Sequence, residues 1–192
     1  MLGEHQGSQI DDDAAFWQAV YGFGGIVAAT LQLNRGDHKE LRECVRTHRN
    51  VCRRHRWQMS ILRCDRLLGE AELRLGNISV ARTMLESAFN ESRRVPFRRD
   101  HIETQLAFGK CLCAQEDPEG ITYLEEAVEN SLRVGYSILA IEARLALAEA
   151  YATTEHLHKT REHACAALEE SMHCGYATAV GKAKTLIQQH HR

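Results

Sequence analysis

Proline is scarce in this sequence: the chain of 192 residues has two, Pro96 and Pro118. Aromatic residues make up 6% of it, and no segment alternates polar and apolar residues with the period of two that is typical of a strand. Hydrophobic residues make up 44% and charged residues 26%, which argues against a disordered or collagen-like chain. The sequence therefore predicts a helical globular protein that is long enough to bury a sizeable core.

Targeting signals are also missing. The N-terminus lacks the basic start and apolar core of a signal peptide, so we expect no secretion. The seven cysteines are odd in number and follow no disulfide framework spacing. Together these features predict reduced thiols in a cytoplasmic protein.

Charge is unevenly distributed although the formal net charge is only −2. Residues 1–34 contain no Lys or Arg, residues 35–99 are strongly basic, and residues 100–170 are strongly acidic. Such a polarised chain could steer a charged partner or align neighbouring copies. Composition that simply drifts along an elongated protein explains it equally well.

One aromatic residue recurs every 39 or 40 positions: Trp17, Trp57, Phe97, Tyr136 and Tyr176. Gly or Pro directly precedes three of them, and both residues are helix-stop signals. Small residues keep step with this repeat at Ala88, Ala127 and Ala167. Each unit is therefore predicted to be a helical hairpin that begins at the aromatic residue.

Helix bounds follow from this register. The first helices are predicted near 14–34, 57–75, 97–115, 136–153 and 176–189, and the second helices near 38–55, 78–94, 118–134 and 158–174. The turns between them are predicted at Gly36-Asp37, Gly76-Asn77 and Asp117-Pro118-Glu119, where Asp117 is expected to cap the helix that follows.

The spacing of apolar and small residues resembles the tetratricopeptide repeat, with units of about 40 residues instead of the usual 34. The second unit has Leu68-Gly69, then Ala81-x3-Leu85-x2-Ala88; the third has Phe108-Gly109-x2-Leu112, then Gly120-x3-Leu124-x2-Ala127; the fourth has Leu147-Ala148-x2-Tyr151, then Thr160-x3-Ala164-x2-Ala167. The first unit is degenerate, because His48 stands where the others have Ala.

The resemblance implies an all-α fold: a right-handed superhelical array of antiparallel helical hairpins (an α-solenoid) of about nine helices. It implies a flexible segment 1–13 and a repeat domain 14–192 with units near 14–56, 57–96, 97–135, 136–175 and a final helix 176–190. Units of this length look like the C-terminal sensor arrays of STAND-class signalling ATPases, including LuxR-type transcription regulators. The function implied is binding of a protein or peptide segment, or of a small effector, in a concave groove.

By register with the motif, the groove positions run from basic to acidic along the chain: Arg63, Arg66, Glu70, Arg74, Glu103, Leu106, Lys110, Glu142, Leu145 and Glu149. No Ser-His-Asp or Cys-His arrangement sits in a catalytic motif, so we expect no enzyme activity and no cofactor.

A second candidate surface is a basic stripe on the helix predicted at 38–55. Arg42, Arg46, Arg49 and Arg53 recur at helical spacing on one side of it. Arginine stripes bind carboxylates and phosphates, so an acidic protein surface is one candidate partner. A solvated outer face is the other interpretation, and nucleic acid is the less favoured partner.

The same helix carries Cys44, His48 and Cys52 at intervals of four. Cys44 and Cys52 are about 12 Å apart along a helix, so the three cannot share one ion, although His48 and Cys52 could with ligands from elsewhere. Because Leu41 and Val45 lie on this side, we expect these residues to pack inward and predict no metal site.

The segment 14–34 contains no charged residue. Its glutamines, glycines and place in the repeat argue against membrane insertion. A helix that is apolar on most sides is usually covered, so we expect self-association through it, helices of a longer parent chain above it, or burial under its neighbour.

Overall fold

The computed structural model describes Gly36 and residues 38–190. Within them the chain forms helices and no strand. The predicted helix at 14–34 and the predicted flexible segment 1–13 lie outside the described residues. The described helices are α1 His38–Arg54, α2 Gln58–Arg74, α3 Ile78–Ser92, α4 Arg98–Cys113, α5 Glu119–Val134, α6 Ser137–Thr153, α7 Leu157–Cys174 and α8 Ala177–Gln189.

These eight helices match the predicted bounds to within about two residues, which is the usual uncertainty of helix ends. Consecutive helices pack against each other as hairpins: α1 packs on α2, and each helix from α4 to α7 packs on the one that follows it. The predicted all-α class, built from antiparallel hairpins, is confirmed. The superhelical sense of the whole array stays a prediction.

The repeated aromatic residues precede the first helix of each described unit. Trp57, Phe97, Tyr136 and Tyr176 are the N-cap residues of α2, α4, α6 and α8. None of them makes the side-chain hydrogen bond of a polar cap. Tyr136 and Tyr176 pack instead against buried clusters of their own unit, so the aromatic side chain is placed there for its apolar surface.

Most turns have the same backbone geometry. A residue with positive φ follows the helix, and a backbone hydrogen bond closes the last helical turn. Gly135 has φ +77°, and the amide of Tyr136 donates to the Ser131 carbonyl at 2.9 Å. This Schellman-type ending satisfies carbonyls that the helix leaves unpaired. Positive-φ residues also follow α1, α2, α4, α6 and α7, at Arg56, Gly76, Glu116, Glu155 and Gly175.

The hydrogen bond predicted for Asp117 before α5 is present, but Asp117 is not the N-cap residue. The Oδ1 atom of Asp117 accepts a hydrogen bond from the amide of Glu119 at 3.1 Å. Pro118 occupies the N-cap position, so the helix begins at Glu119, one residue later than the register predicted.

The chain divides into two compact units, Met1–Glu91 and Ser92–Arg192. In the first unit, apolar residues of α1 and α2 form one buried cluster: Leu41, Val45, Cys64, Leu67, Leu68 and Ala71. In the second unit, α6 contributes to two clusters, one with α4 and α5 and one with α7 and α8. The predicted single repeat domain over 14–192 stays a prediction.

Small residues of the motif allow close helix contacts. A Cβ atom added at Gly69 would lie 2.5 Å from Cγ of Leu85, and one added at Gly109 would lie 3.0 Å from Cδ2 of Leu124. Ala88, Ala127 and Ala167 are all buried.

Across residues 38–190, none of the helices combines the length and apolar character that crossing a membrane requires.

Candidate binding surface

The first helices of the second unit form one layer. Besides its hairpin partners, α6 contacts both α4 and α8. The groove positions predicted for this unit lie on α4 and α6, so they belong to this layer: Glu103, Leu106, Lys110, Glu142, Leu145 and Glu149.

Two of the predicted carboxylates are held by neighbouring side chains. Glu103 accepts a hydrogen bond from Nε of Arg99 at 2.9 Å, one turn earlier on α4. Glu142 on α6 accepts a hydrogen bond from the hydroxyl of Tyr176 at 2.5 Å. Both side chains are partly buried, so each carboxylate has a fixed direction at the edge of the layer.

The bond between Tyr176 and Glu142 leads to a prediction about alkaline stability. Burial and the hydrogen bond to Glu142 raise the pKa of Tyr176 well above its ordinary value. Above pH of about 10 the unfolded chain loses this proton while the folded chain keeps it, so the stability that the group contributes falls as pH rises further. Tyr176→Phe should cost about 1 kcal/mol at neutral pH, and this difference should shrink above pH of about 10. Urea unfolding of the wild type and of Tyr176→Phe, at neutral pH and above pH of about 10, measures the difference in the free energy of unfolding. A difference that does not change with pH would contradict the prediction.

Leu106 and Leu145 do not belong to an open surface. They are 6% and 2% exposed and pack in the buried clusters of the second unit. Their assignment to the groove is a correction to the sequence prediction. The register placed them one turn from charged groove positions, but neighbouring helices of the unit cover that side of α4 and α6.

The remaining predicted positions of this unit are accessible. Glu149 is exposed, and Lys110 is half-buried. The first-helix layer of the second unit therefore presents three carboxylates, those of Glu103, Glu142 and Glu149, and the single ammonium of Lys110 among the predicted positions. We call these four residues the acidic surface.

Sequence reasoning missed a polar cluster beneath this layer. Tyr151 was read only as a core residue of the motif, and its ring is buried. Its hydroxyl donates to Oε1 of Glu125 at 2.7 Å and accepts from Nζ of Lys159 at 3.2 Å. Its ring also stacks on His163 at 5.6 Å between centroids. These contacts join α5, α6 and α7, so they fix the helix that carries Glu142 and Glu149.

The predicted groove positions of the first unit lie on α2. Nη1 of Arg66 contacts Oε1 of Glu70 at 2.5 Å, and the two side chains are 11% and 18% exposed. Arg63 is half-buried and Arg74 is exposed. The Arg66 guanidinium therefore has a partner within its own helix, and replacing Arg66 by an acid would place two carboxylates one turn apart on α2.

The predicted basic stripe is largely paired within the first unit, which corrects the expectation of an open arginine surface. Arg42 and Arg46 both contact Oε1 of Glu72 on α2, at 3.5 and 3.6 Å. Arg49 forms an ion pair with Asp65, also on α2. Arg53 is exposed. The stripe therefore ties α1 to α2, because acids of α2 lie opposite three of its four members.

The expected inward packing of the Cys44, His48 and Cys52 face is confirmed in part. Cys52 is fully buried and His48 is half-buried, whereas Cys44 is exposed. Cys44 lies beside the stripe formed by Leu41, Val45, His48 and Cys52, which is the stripe that packs against α2.

The fold is that of a helical-repeat protein built from tetratricopeptide-like hairpins. A solved structure similar to this chain is that of aspartyl phosphate phosphatase F from Bacillus subtilis, with a TM-score of 0.69 and 14% sequence identity. The similarity covers 86% of this chain and 45% of that chain, so the sequence spans less than half the length of that protein. At this identity the likeness shows the fold alone. No protein-family model matches the sequence, and no curated protein matches it.

Proposed function

We propose that the chain is a non-catalytic scaffold that binds a protein or peptide segment, or a small effector, on the first helices of its repeats. The acidic surface of the second unit is the observation that supports this proposal. Two of its carboxylates are held in place by Arg99 and Tyr176, and Glu149 beside them is open to solvent. Fixed acceptor groups on a rigid helical layer suit recognition, because little side-chain freedom is lost on binding.

The ligand chemistry follows from the charge of this surface. Beyond the ion pair of Glu103 with Arg99, the surface carries the carboxylates of Glu142 and Glu149 against the ammonium of Lys110, and this net negative charge attracts a cationic partner and speeds its association. An extended segment rich in Lys and Arg would suit these carboxylates, which lie on the successive first helices α4 (Glu103) and α6 (Glu142 and Glu149). This preference for a cationic segment is proposed for the acidic surface of the second unit and not for the first unit.

The setting that we propose is a cytoplasmic signalling or transcription-regulatory system, in which the chain is the sensor or interaction module. The similarity of repeat length to the sensor arrays of STAND-class ATPases supports this setting. The solved neighbour is named a phosphatase, but the present chain spans 45% of it and shares only its fold. We therefore propose binding without catalysis for this chain, and release of phosphate from an acyl-phosphate substrate by the purified protein would contradict that proposal.

The test is a charge reversal on the acidic surface. Glu149→Arg should weaken binding of a cationic peptide, selected from an array of Lys- and Arg-rich sequences, by about tenfold or more, because one attractive contact becomes repulsive. Affinity is measured by fluorescence anisotropy at low and at moderate salt.

Glu169→Arg is the matched control, since Glu169 is exposed on the second helix α7 and the change in net charge is the same. Affinity in this variant should stay near that of the wild type. Equal losses in both variants would show that net charge alone attracts the peptide, and no loss in Glu149→Arg would place the site elsewhere.

A further inference from the structure

Three metal-binding side chains of the first unit meet where α1 packs against α2. His48 and Cys52 lie one turn apart on α1, and Cys64 lies on α2. A ring nitrogen of His48 and the two Sγ atoms all lie within 4.8 Å of one another. Both thiols are fully buried, and the imidazole is half-buried. The sequence spacing predicts that His48 and Cys52 lie on one side of α1, and the packing of α1 against α2 adds Cys64.

The repeats themselves show what packing requires at these three positions. His48 corresponds in register to an alanine in each of the following repeats, Cys52 to a serine, and Cys64 to a threonine or an alanine. The equivalent residues are Ala88, Ala127 and Ala167, then Ser92, Ser131 and Ser171, then Thr104, Ala143 and Ala183. Small side chains therefore satisfy the fold at these positions, and the imidazole and two thiols are a departure of the first hairpin.

We propose that His48, Cys52 and Cys64 bind one Zn²⁺ ion, with a water molecule in the fourth position. Around a tetrahedral ion with Zn–S bonds of about 2.3 Å, ligand atoms are about 3.8 Å apart. The present separations, all within 4.8 Å, need side-chain adjustments of about 1 Å or less to reach this geometry.

The donor set favours zinc over the hard cations. Two sulfur donors and one imidazole suit a borderline-soft ion, whereas Mg²⁺ and Ca²⁺ prefer oxygen. Two thiolates cancel the double charge of the ion, so the buried complex carries no net charge and avoids the cost of an uncompensated buried charge. Both thiols must lose their protons to bind the ion, so zinc binding should release protons to the solvent.

The consequence of the site is a cross-link within the first hairpin. The ion would join α1 to α2 through ligands from both helices, next to the ion pairs of Arg42, Arg46 and Arg49 with α2. Metal binding to a preformed site stabilises the folded state by mass action. Zinc should therefore raise the melting temperature of the unit that contains it.

The experiment uses the full chain, purified under reducing conditions and freed of metal with a chelator. Co²⁺ added to it should give a thiolate-to-cobalt charge-transfer band that saturates at one equivalent, and Zn²⁺ should abolish this band. Zn²⁺ competition with a chromophoric chelator gives the affinity, and thermal unfolding followed by circular dichroism gives the shift in melting temperature.

The test variant is His48→Ala/Cys52→Ser/Cys64→Ala, which introduces the residues that the chain itself uses at Ala127, Ser131 and Ala143. It should fold, lose the cobalt band, and bind zinc at least about 100-fold more weakly, a larger loss than removal of a supporting outer partner causes. The matched control His158→Ala/Cys165→Ser/Cys174→Ser removes the same residue types from exposed positions and should bind as the wild type does.

Three results would overturn the proposal. The wild type could show no cobalt–thiolate band, in which case the three groups are packing residues only. Zinc affinity could survive in the test variant and fall in the control, which would place the metal on exposed histidines and cysteines. Mass analysis without reductant could show a Cys52–Cys64 disulfide while the reduced protein binds no metal, which would make the pair redox-active instead.

Discussion

Replacing Arg42 and Arg46 together by alanine should destabilise the first unit by about 2–3 kcal/mol. Both guanidinium groups contact Oε1 of Glu72, a residue that is 4% exposed, and within residues 38–190 its carboxylate also accepts a hydrogen bond of 2.7 Å from Nδ2 of Asn77. Removing one side of a fully buried ion pair costs about 3–5 kcal/mol, but only the Glu72 side of this pair is buried, because Arg42 and Arg46 are 29% and 51% exposed. The Asn77 bond and water entering beside the shortened side chains reduce this cost.

The measurement is urea unfolding followed by tryptophan fluorescence. Trp57 precedes α2 in the first unit, so a change in its emission reports on that unit. The midpoint should fall in the Arg42→Ala/Arg46→Ala variant. Adding Glu72→Gln should recover part of the loss, because the amide removes the buried charge.

The control for this variant is Lys39→Ala/Arg53→Ala. Both residues are exposed on α1, and the variant loses the same two positive charges. Its stability should stay within about 0.5 kcal/mol of the wild type. If test and control lose equal stability, general electrostatics explains the effect and the contacts with Glu72 do not.

The hairpin architecture could be predicted from the sequence because several independent signals coincide every 39 or 40 residues. Trp57, Phe97, Tyr136 and Tyr176 each precede a helix, as the register predicted. The periodic spacing of apolar residues is set within each helix, so it can be recognised in the sequence whichever helix packs against it. Positive φ at Arg56, Glu116 and Glu155 was not predicted, because residue type gives no signal there and the requirement comes from the turn.

The side-chain partners could not be predicted in the same way. Whether Arg42 faces solvent or an acid depends on which residues of α2 come opposite it, and Glu72 is distant in sequence. Cys64 likewise shows no spacing relation to Cys52 that predicts a shared site; the packing of α1 on α2 creates it. The assignment of Leu106 to the groove was wrong because the sequence does not show which neighbouring helices cover that side of α4. Local patterns thus predict elements, whereas contacts between elements decide the sites.

Replacing Gly120 by alanine should destabilise the second unit by about 2 kcal/mol. A Cβ atom at this position would lie 2.6 Å from both the backbone nitrogen and Sγ of Cys113, and 3.0 Å from the carbonyl oxygen of Gly109. Two of these three atoms are backbone, so a rotamer change cannot relieve the contact and α5 must move away from α4. Overpacking of this kind costs about 1–3 kcal/mol or more. The helix propensity of alanine offsets up to about 1 kcal/mol of that cost.

Gly181→Ala should change the stability in the opposite direction, so it is the matched comparison for Gly120→Ala. Apart from its chain neighbours and the local backbone of α8, no described atom lies within 4 Å of a Cβ built at Gly181, which is exposed. Alanine there should stabilise the same unit by about 0.5–1 kcal/mol, since only the propensity term remains. Thermal unfolding followed by circular dichroism should therefore move in opposite directions for the two variants. If Gly120→Ala is stabilised as Gly181→Ala is, then α4 and α5 can separate at little cost and Gly120 does not set the distance between them.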